Sequence, residues 1–359
     1  MPKVKTPQFS SGPEISKALP SIFDRYGETL SLELRSALHN KDNQVEEPLR
    51  YHMGWNGESG EQLTTPEGQG KVLRPTLCLF ACEALGGEWR SALPVAVALE
   101  LIHNFSLVHD DIQDGDTERR HRRTVWVIWG QPKAIIAGVG MHCLAYLTAR
   151  SRAHDFPSET KVLRASRLLV ESSLAMIEGQ CRDLHFEQKL DIGLNEYLDM
   201  VRLKTGALIQ CSLEAGALMA TDKSSYIAAF SLYGSHLGRL FQIRDDILGI
   251  WGIQKETGKP SGNDIHRRKK SFPIVFALER SSLAHRNRLM HLYKKESFID
   301  SDIEEVLDIL DKSGARKHAH KIITQEARLA LGQLDGVPLS VTIRRDAQEL
   351  LDFLIVRNF

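Results

Sequence analysis

The chain has 359 residues, of which 42% are hydrophobic and 26% are charged. Its 46 basic and 46 acidic side chains cancel. No overall field therefore favours nucleic acid or an anionic membrane, and any anion must be bound by a local cluster. This composition is typical of a soluble globular protein with one large domain or two of ordinary size.

The N-terminal segment, MPKVKTPQFSSGPEISK, lacks the apolar core of a secretory signal. The longest uncharged stretch, 134–149, has 16 residues. A membrane helix needs ~20, so we expect a buried core helix there and no transmembrane segment. Five cysteines without a CxxC spacing indicate reduced thiols rather than disulfides or a zinc site. These features predict a cytoplasmic protein.

Helical periodicity dominates the sequence, whereas alternating strand patterns are scarce. We therefore predict an all-α protein, with 1–359 as a single domain and 1–14 as a flexible tail. Polar residues and five glycines at 54–70 predict an exposed loop or insertion at 40–70, and 254–270 is predicted to be a charged loop. In chain order the predicted helices are 15–38, 73–86, 91–114, 132–152, 159–187, 195–220, 224–251, 271–282, 301–312, 315–335 and 339–356.

The stretch LVHDDIQDGDTERRHRR, residues 107–123, places three aspartates before four arginines. On a helix, Asp110, Asp111 and Asp114 project from one side, and like charges at such spacings cost roughly 0.2–0.5 kcal/mol per pair. A bound divalent cation would reverse that cost, and oxygen ligands at this density suit Mg²⁺. The alternative is a solvated acidic face, which a lone DDxxD motif would favour.

Two neighbouring features favour a binding site. The preceding segment VAVALELIHNFSLV is apolar enough to be buried, so its acidic end is expected to line a cavity. Guanidinium groups suit phosphate recognition, which predicts phosphate binding by the four arginines. These arginines are Arg119, Arg120, Arg122 and Arg123.

The pattern recurs in FQIRDDILGIW, where Asp245 and Asp246 lie near the end of another long apolar helix. We therefore predict that the two clusters form two walls of one diphosphate–metal site. The charged residues that follow the second cluster are Lys259, Asp264, Arg267, Arg268, Lys269 and Lys270.

From about residue 65 onward, the chain resembles the trans-isoprenyl diphosphate synthases, also called polyprenyl synthetases. The resemblance implies a large helix bundle around a deep central cavity, a homodimer, and Mg²⁺-dependent transfer of an allylic diphosphate onto isopentenyl diphosphate. The motifs, in the family's order, are GKVLRP (70–75), LIHNFSLVHDDIQD with ERR after it, GQCRDL (179–184), LKTG (203–206), FQIRDDILG (241–249), and GKPSGND with KKSFP after it.

The resemblance also assigns roles to single positions. The implied metal ligands, for three Mg²⁺ ions with Mn²⁺ as a substitute, are Asp110, Asp111, Asp114, Asp245 and Asp246. The implied contacts to the allylic diphosphate are Arg119, Lys204 and Lys269, and those to isopentenyl diphosphate are Lys71, Arg74, His103 and Arg120. Thr205 and Gln242 would stabilise the developing cation, and Gln180 and Asp183 would support the metal cluster.

Spacing supports one of these roles independently. His103 lies seven positions before Asp110 and eleven before Asp114, close to the same stripe of a helix. For His103 alone, a core histidine with satisfied hydrogen bonds is the simpler interpretation. For Lys71 and Arg74 it is the exposed start of a helix.

The chain departs from the family pattern at several positions. Gly249 stands where the second motif normally ends in a third aspartate, and Val139 where the family often has aspartate. His121 and Arg123 stand where it often has glycine and proline. None of these changes removes a metal or diphosphate group of the first site.

Product length is expected to depend on the residues just before the first aspartate motif. Phe105 and Ser106, an aromatic followed by a small residue, resemble synthases that stop at geranylgeranyl diphosphate (C20). Helix geometry places Ser106 about 40° from Asp110 but Phe105 about 140° away, so the position of Phe105 rests on the resemblance. Farnesyl diphosphate or a longer chain is the alternative.

Three other functions were weighed. A terpene cyclase on this scaffold is favoured by Gly249 but opposed by the intact isopentenyl diphosphate pocket. A phosphohydrolase using His109 and Asp110 is disfavoured because His103 and His109 point to separate sides of a helix. A non-catalytic subunit of a heteromeric synthase should lack carboxylates of the first motif, which are all present.

Overall fold

The computed structural model describes residues 19–38, 45–65, 67–68, 70–151, 158–252, 262–295 and 297–356. Within these ranges the chain is almost entirely helical, with one two-stranded hairpin. The all-α prediction is therefore confirmed. The predicted flexible tail at 1–14 lies outside the described residues.

The helices are α1 (Ser21–Ala37), α2 (Glu46–His52), α3 (Leu73–Ala84), α4 (Leu93–Gln113), α5 (Val125–Arg150), α6 (Glu159–Glu187), α7 (Leu194–Val201), α8 (Ala207–Ala220), α9 (Ser224–Trp251), α10 (Asn263–His266), α11 (Phe272–Arg280), α12 (Leu283–Tyr293), α13 (Asp300–Ser313), α14 (Ala315–Gln333) and α15 (Val341–Val356). A 3₁₀ turn at Trp89–Ala92 precedes α4, and a π-helical turn at Arg202–Gly206 joins α7 to α8. Strands β1 (Glu118–Arg119) and β2 (Arg122–Arg123) form the antiparallel hairpin.

Most predicted helices lie where the periodicity places them, and α6 and α9 have the predicted bounds. The sequence does not predict α2, which has only seven residues, or α12, whose buried apolar residues are confined to its second half. The predicted helix 195–220 is interrupted by the π turn. Inside α5, Gly130 has non-helical backbone angles, which explains why the periodic pattern begins only at 132.

Helix α4 lies at the centre of the bundle, packed between α3 and α5. From Leu93 to Ile102 its side chains are nearly all buried, because this part of the helix is apolar on every face. Gly115 then adopts a left-handed conformation (φ 66°), which ends the helix directly after Asp114. The three aspartates of the first motif therefore lie at the C-terminal end of a core helix.

Helix α9 provides the second central element and packs against α8 and α14. Its buried stripe includes Leu237, Leu240 and Ile243, which continue into the turn that carries the second pair of aspartates. One hydrophobic core contains residues from Ile22 to Leu354. The single-domain interpretation itself stays a prediction.

The stretch Trp89–Gln113 is long and apolar enough to cross a membrane by length and composition. However, 72% of its most apolar window is buried inside the protein. This burial agrees with the prediction for VAVALELIHNFSLV. The stretch 134–149, predicted to be a buried core helix, lies in α5, but its side chains are only partly buried: Ile135, Ile136, Val139 and Leu147 are exposed.

The segment 40–70 is predicted to be an exposed loop, and this prediction is wrong for much of the described part. Leu49, Tyr51, Met53 and Trp55 are only 1%, 3%, 7% and 1% exposed, respectively. The Tyr51 ring packs edge-on against Trp129 of α5, with ring centroids 5.1 Å apart. These residues recur at every second position, a short spacing that does not predict the helix and turn found here, and the glycines and polar residues around them led to the loop prediction.

Candidate active site

Two cavities meet near the C-terminal ends of α4 and α9. The larger, about 630 Å³, extends between α4, α5 and α6, and the smaller, about 350 Å³, lies between α9 and residues 263–271. Lys204, Thr205, Gln242 and Asp245 line both cavities. These four side chains therefore form the junction between the two spaces.

Five carboxylates lie near the C-terminal ends of the two core helices. Negative charge at this end of a helix opposes the helix dipole and costs roughly 0.3–1 kcal/mol per group at the surface. Cations, either from side chains or from a bound metal, are needed to offset this unfavourable electrostatic energy. The carboxylates are Asp110, Asp111 and Asp114 on α4, and Asp245 and Asp246 on α9.

Arg119 contacts the first two carboxylates. Its Nε donates to Asp111 Oδ1 at 2.7 Å, and its Nη2 lies 3.7 Å from Asp110 Oδ2. Asp111 is 1% exposed, and burial raises its pKa to about 6 although Arg119 opposes the shift. Asp111 Oδ2 is buried without a hydrogen-bond partner, so this carboxylate can accept a further donor or cation.

The hairpin separates the four arginines into two pairs. Arg119 and Arg120 line the larger cavity. Arg122 donates to two backbone carbonyls near α2 at 2.8 and 2.6 Å, and Arg123 forms an ion pair with Glu58 at 3.2 Å. The prediction that all four arginines bind phosphate is therefore wrong for Arg122 and Arg123. Their guanidinium groups instead contact residues of the 46–58 segment.

Lys204 lies in the π turn and faces the first carboxylate cluster. Its Nζ donates to Asp183 Oδ2 at 2.6 Å and lies 3.6 Å from Asp110 Oδ1. Burial opposes the charge, but Asp183 and Asp110 raise the pKa of Lys204 above its ordinary value. Isolated π turns are rare and are frequent at functional sites. Here the turn brings both Lys204 and Thr205 to the cavity wall.

Helix α6 approaches this π turn closely at Gly179. A Cβ atom at Gly179 would overlap the backbone nitrogen of Lys204, so glycine is required for the contact. In the next position, Gln180 Nε2 donates to Asp110 Oδ1 at 2.9 Å. The predicted supporting residues therefore both reach the first cluster, Gln180 directly and Asp183 through Lys204.

Asp245 and Asp246 have different environments, although the sequence predicts the same metal-binding role for both. Asp246 Oδ2 accepts hydrogen bonds from the Tyr197 hydroxyl and, at 2.6 Å, from the backbone N–H of Phe272, and its Oδ1 accepts from Gln242 Nε2 at 2.9 Å. Burial raises the pKa of Asp246 to about 7. Protein donors thus engage both oxygens of Asp246, whereas Asp245 lines both cavities.

Thr205 and Gln242, predicted to act together, are in contact. Thr205 Oγ1 donates to Gln242 Oε1 at 2.6 Å, and Gln242 in turn donates to Asp246. This chain of hydrogen bonds fixes the orientation of two polar groups that line the larger cavity beside the carboxylates.

Ion pairs connect the first motif with the loop that follows the second motif. Lys269 Nζ lies 3.6 Å from Asp114 Oδ2, and Arg267 forms an ion pair with Asp116. Burial opposes the charge of Lys269, but Asp114 raises its pKa. The two walls predicted from the sequence therefore face each other.

Arg74, His103 and Arg120 line the larger cavity together. Burial, followed by the charges of Arg74 and Arg120, lowers the pKa of His103 well below its usual value. Both effects favour the neutral imidazole, in which one nitrogen can donate a hydrogen bond. Lys71, predicted for the same group, lies with its Nζ 5.2 Å from the ring centroid of Phe353 in α15.

The structure adds a residue beside the predicted floor of the cavity, because His142 lines the same cavity as Phe105. Phe105 and Ser106 both line the larger cavity, and the Phe105 ring lies 4.5 Å from the His142 ring of α5, centroid to centroid. His142 Nε2 is 2.8 Å from Ser173 Oγ and 2.9 Å from the Tyr146 hydroxyl. No sequence motif marks His142, because it lies on a separate apolar helix.

The donor set fits Mg²⁺, which prefers one or two carboxylates completed by water and substrate phosphates. Asp110 and Asp245 line the larger cavity, and Asp114 lies beside Lys269 on the adjoining surface. Among the described residues, no three His, Cys, Asp or Glu side chains form a group that could hold a metal by themselves. Diphosphate oxygens would therefore have to complete the coordination.

A family model described as polyprenyl synthetase matches residues 59–310. The chain belongs to the polyprenyl synthetase family. This membership confirms the predicted family and the enzyme class, a trans-prenyltransferase.

Similar proteins span more than one product length. The prenyltransferase is 36% identical over 355 residues to (2E,6E)-farnesyl diphosphate synthase of Mycobacterium tuberculosis. That alignment covers 98% of this chain and 97% of the other protein. It is 37% identical over 302 residues to geranylgeranyl diphosphate synthase of the same species, covering 83% of this chain and 84% of that protein.

The fold is likewise similar to that of solved structures. The structure of a polyprenyl synthetase from Streptomyces coelicolor A3(2) matches with a TM-score of 0.85 and 32% identity. The match covers 94% of this chain and 99% of that one. This likeness supports the all-α prediction independently of the helical content.

Proposed function

We propose that this prenyltransferase condenses isopentenyl diphosphate head-to-tail with an allylic diphosphate in a Mg²⁺-dependent reaction and makes all-trans geranylgeranyl diphosphate. The observation that carries the proposal is that the two carboxylate walls face each other at the mouth of a cavity of about 630 Å³. Arg119, Lys204 and Lys269 lie between or beside these walls. The charged junction would bind the diphosphate of the allylic substrate, and the larger cavity would hold its hydrocarbon chain.

The charged side chains would bind and activate the allylic diphosphate. Asp110, Asp114 and Asp245 would hold Mg²⁺, which when bound supplies Lewis-acid stabilisation of the leaving pyrophosphate. Asp111 would join them, because its Oδ2 is buried without a hydrogen-bond partner, whereas we assign Asp246 to positioning, because three protein donors engage its two oxygens. The division of roles differs from the sequence-based prediction of five equivalent ligands.

Arg119, Lys204 and Lys269 would stabilise the charge that develops on the departing pyrophosphate. Charged donors that are already in place act in this way without reorganising during the reaction. Thr205 and Gln242 present their oxygens to the allylic cation, and the apolar cavity excludes water from it.

The second substrate would lie beside the cation. Lys71, Arg74, His103 and Arg120 would bind the diphosphate of isopentenyl diphosphate, and its C3–C4 double bond would attack the allylic carbon. Holding both reactants in place accounts for part of the rate. The pyrophosphate just released accepts the proton that is lost, and the product is five carbons longer.

Product length is the finer part of the proposal. Relatives named for farnesyl and for geranylgeranyl products are almost equally similar to this chain. The C20 assignment rests on Phe105 at the cavity floor, backed by His142, with the smaller Ser106 beside it. Extra bulk at Ser106 would be expected in a farnesyl-producing enzyme.

The test is incubation of the purified protein with Mg²⁺, isopentenyl diphosphate and, in turn, C5, C10 and C15 allylic diphosphates. We expect a product ladder that ends at C20 by mass spectrometry and disappears when EDTA is added. Consumption of the allylic substrate alone, with release of a hydrocarbon or alcohol, would instead establish a terpene cyclase.

We further propose that two copies of the chain form a homodimer through α5 and α6. Eight of the fourteen large hydrophobic side chains that are exposed in the described residues lie on these two helices. An exposed apolar surface of this kind marks a protein interface. These residues are Ile135, Ile136, Val139, Leu147, Leu163, Val170, Leu174 and Ile177.

A charge placed on this surface should disrupt the dimer. Leu174 is 66% exposed in the single chain, so Leu174→Asp should fold normally but fail to pair, because association would bury an unpaired carboxylate. Light scattering after gel filtration should give twice the chain mass of 40.4 kDa for the unmodified protein and the single mass for the variant.

The matched control is Leu283→Asp, because Leu283 is 72% exposed but lies on α12. It should leave the mass at twice that of the chain. If Leu174→Asp also remained a dimer, the proposed interface would be incorrect.

The remaining parts of the proposal concern compartment and partners. All five cysteines are free thiols, which supports the cytoplasmic assignment because thiols stay reduced there. The substrates are the two diphosphates, and the balanced charge of the chain supports the expectation that nucleic acid is not a partner.

A further inference from the structure

The hairpin of β1 and β2 presents Arg119 and Arg120 to the larger cavity. Its strands have two residues each, and Arg120 and His121 form the turn between them. Both turn residues have positive φ angles, 52° and 62°, as the type I′ turn of a two-residue hairpin requires. Glycine adopts this left-handed conformation freely, whereas residues with a side chain adopt it at a cost in free energy. The turn that carries Arg120 is therefore strained.

A hairpin this short does not hold a strained turn by itself. Isolated two-stranded hairpins are at best marginally stable, and strained backbone persists only where the surrounding structure fixes it. The base of the hairpin is fixed, because the Asp116 N–H donates to the Asp111 carbonyl at 2.9 Å and Trp126 Nε1 donates to the Asp116 carbonyl at 2.8 Å. These bonds lie at the end opposite the turn, so the turn needs support of its own.

Arg122 connects the hairpin with the 46–58 segment. Its Nη1 donates to the Tyr51 carbonyl at 2.8 Å, and its Nη2 donates to the Asn56 carbonyl at 2.6 Å. The guanidinium carbon also lies 4.1 Å from the centroid of the Tyr51 ring. In the other direction, the Tyr51 hydroxyl donates to the Arg123 carbonyl at 2.8 Å. Strand β2, which directly follows the strained turn, is therefore attached to this segment from both sides.

The 46–58 segment is itself anchored in the bundle. Leu49 and Trp55 are each 1% exposed and belong to the main hydrophobic core. Tyr51 packs against Trp129 of α5. A contact with this segment is thus a contact with the core. The segment precedes the family motifs, the first of which begins at Gly70, so none of them assigns it a role.

The Arg120 side chain has a closely defined place in the structure. Its Nη1 donates to the Gly68 carbonyl at 2.9 Å. A Cβ atom at Gly70 would lie only 2.8 Å from Arg120 Nη2, so the guanidinium group lies directly against the backbone there. A shift of the turn would break the hydrogen bond to Gly68. It would also move the guanidinium group relative to Arg74 and His103, which line the same cavity.

We propose that Arg122 is a positioning residue for Arg120 in the isopentenyl diphosphate pocket. Its bridge to the 46–58 segment holds β2 and the strained turn, and thereby keeps the Arg120 guanidinium group in place. This inference rests on the proposed function, because it takes isopentenyl diphosphate as the anion bound there. Arg119 depends less on the bridge, because Asp111 of α4 accepts a hydrogen bond from it directly.

Arg122→Met tests the inference, because methionine keeps an unbranched side chain and removes both donors. We expect KM for isopentenyl diphosphate to rise about tenfold, a loss that one hydrogen bond from a charged group can account for. Because Arg119 keeps its contact with α4, kcat and KM for the allylic diphosphate should change much less. Calorimetric titration of isopentenyl diphosphate in EDTA should show the same loss of affinity without turnover.

Two further variants separate positioning from loss of charge. Arg123→Met removes the neighbouring charge, but Arg123 and its partner Glu58 are 51% and 48% exposed. Exposed pairs contribute little, so KM for isopentenyl diphosphate should stay within about twofold. Arg122→Lys keeps the charge but lacks the guanidinium fork that reaches two carbonyls, so its KM should be raised almost as much as that of Arg122→Met.

Relief of the strain in the turn provides a second, independent test. His121→Gly removes the cost of the left-handed conformation at a position where type I′ turns favour glycine. In the otherwise unmodified chain it should leave KM for isopentenyl diphosphate nearly unchanged. Combined with Arg122→Met, it should recover most of the lost affinity, because the turn then needs less support from the bridge.

The outcomes distinguish this inference from a general loss of stability and from the function on which it rests. Unfolding of part of the enzyme would lower kcat and leave KM unchanged, so that result for Arg122→Met would overturn the inference. An equal rise of KM in Arg123→Met, or no recovery with His121→Gly, would also overturn it. If the unmodified protein forms no product from isopentenyl and allylic diphosphates, the proposed function itself is wrong.

Discussion

Asp110→Asn is expected to lower kcat for prenyl transfer about 10²–10³-fold, the loss found when one preorganised stabilising group is removed from an active site. Several residues of the site contact the Asp110 carboxylate. Gln180, Arg119 and Lys204 approach its two oxygens at 2.9, 3.7 and 3.6 Å. Asparagine keeps the shape and an oxygen for Gln180 but removes the charge that would hold the metal and balance the two cations.

Steady-state kinetics at saturating Mg²⁺ would measure this effect, with KM for isopentenyl diphosphate expected to change much less than kcat. The matched control is Asp116→Asn, because Asp116 pairs with Arg267 just beyond the motif. Its kcat should stay within a few-fold of the unmodified enzyme. Equal losses in both variants would mean that any missing charge in this loop disables the enzyme, and the specific role of Asp110 would be rejected.

Phe105→Ala is expected to lengthen the product beyond C20, because Phe105 lines the larger cavity at its predicted floor. The extension should be limited, since the His142 ring lines the same cavity next to Phe105 and is held by Ser173 and Tyr146. Removing both rings in Phe105→Ala/His142→Ala should therefore give longer products than either change alone. Mass spectrometry of the products from C15 and isopentenyl diphosphates gives the chain-length distribution.

The control for lost packing is Phe186→Ala. Phe186 and Phe105 are both 6% exposed, and each truncation should cost about 3–5 kcal/mol of unfolding free energy. Only the Phe105 variant should change the product. In the opposite direction, Ser106→Phe adds bulk inside the cavity and should stop synthesis at C15. An unchanged C20 product in both cavity variants would show that the floor lies elsewhere.

Much of the architecture could be predicted from the sequence, because helix formation is governed by local spacing. The bounds of α6 and α9 follow from apolar residues at three- and four-residue intervals. The common orientation of Asp110, Asp111 and Asp114 follows from the same periodicity. The cluster of cations after each aspartate motif is also visible in the chain, and with the family motifs it identified the enzyme class.

The sequence was misleading where burial depends on single residues from distant segments. The 40–70 segment has no helical periodicity, yet Tyr51 and Trp55 are buried against the bundle, and the carbonyls of Tyr51 and Asn56 accept hydrogen bonds from Arg122. Two of the four arginines are therefore structural. Composition could not reveal this, because it depends on which backbone carbonyls the hairpin meets in the folded protein.

The sequence by itself determined the fold class and the family, since both follow from short-range patterns and motifs, and it predicted the carboxylates and most of the cations assigned to the site. Only the tertiary structure decided which contacts each of those residues makes, and therefore which role we assign to it. It showed that protein donors engage Asp246, that the His142 ring packs beside Phe105 at the larger cavity, and that Asp264 fills the space beside Gly249. Each of these contacts joins separate helices or loops, and it is fixed by how the elements pack rather than by spacing along the chain.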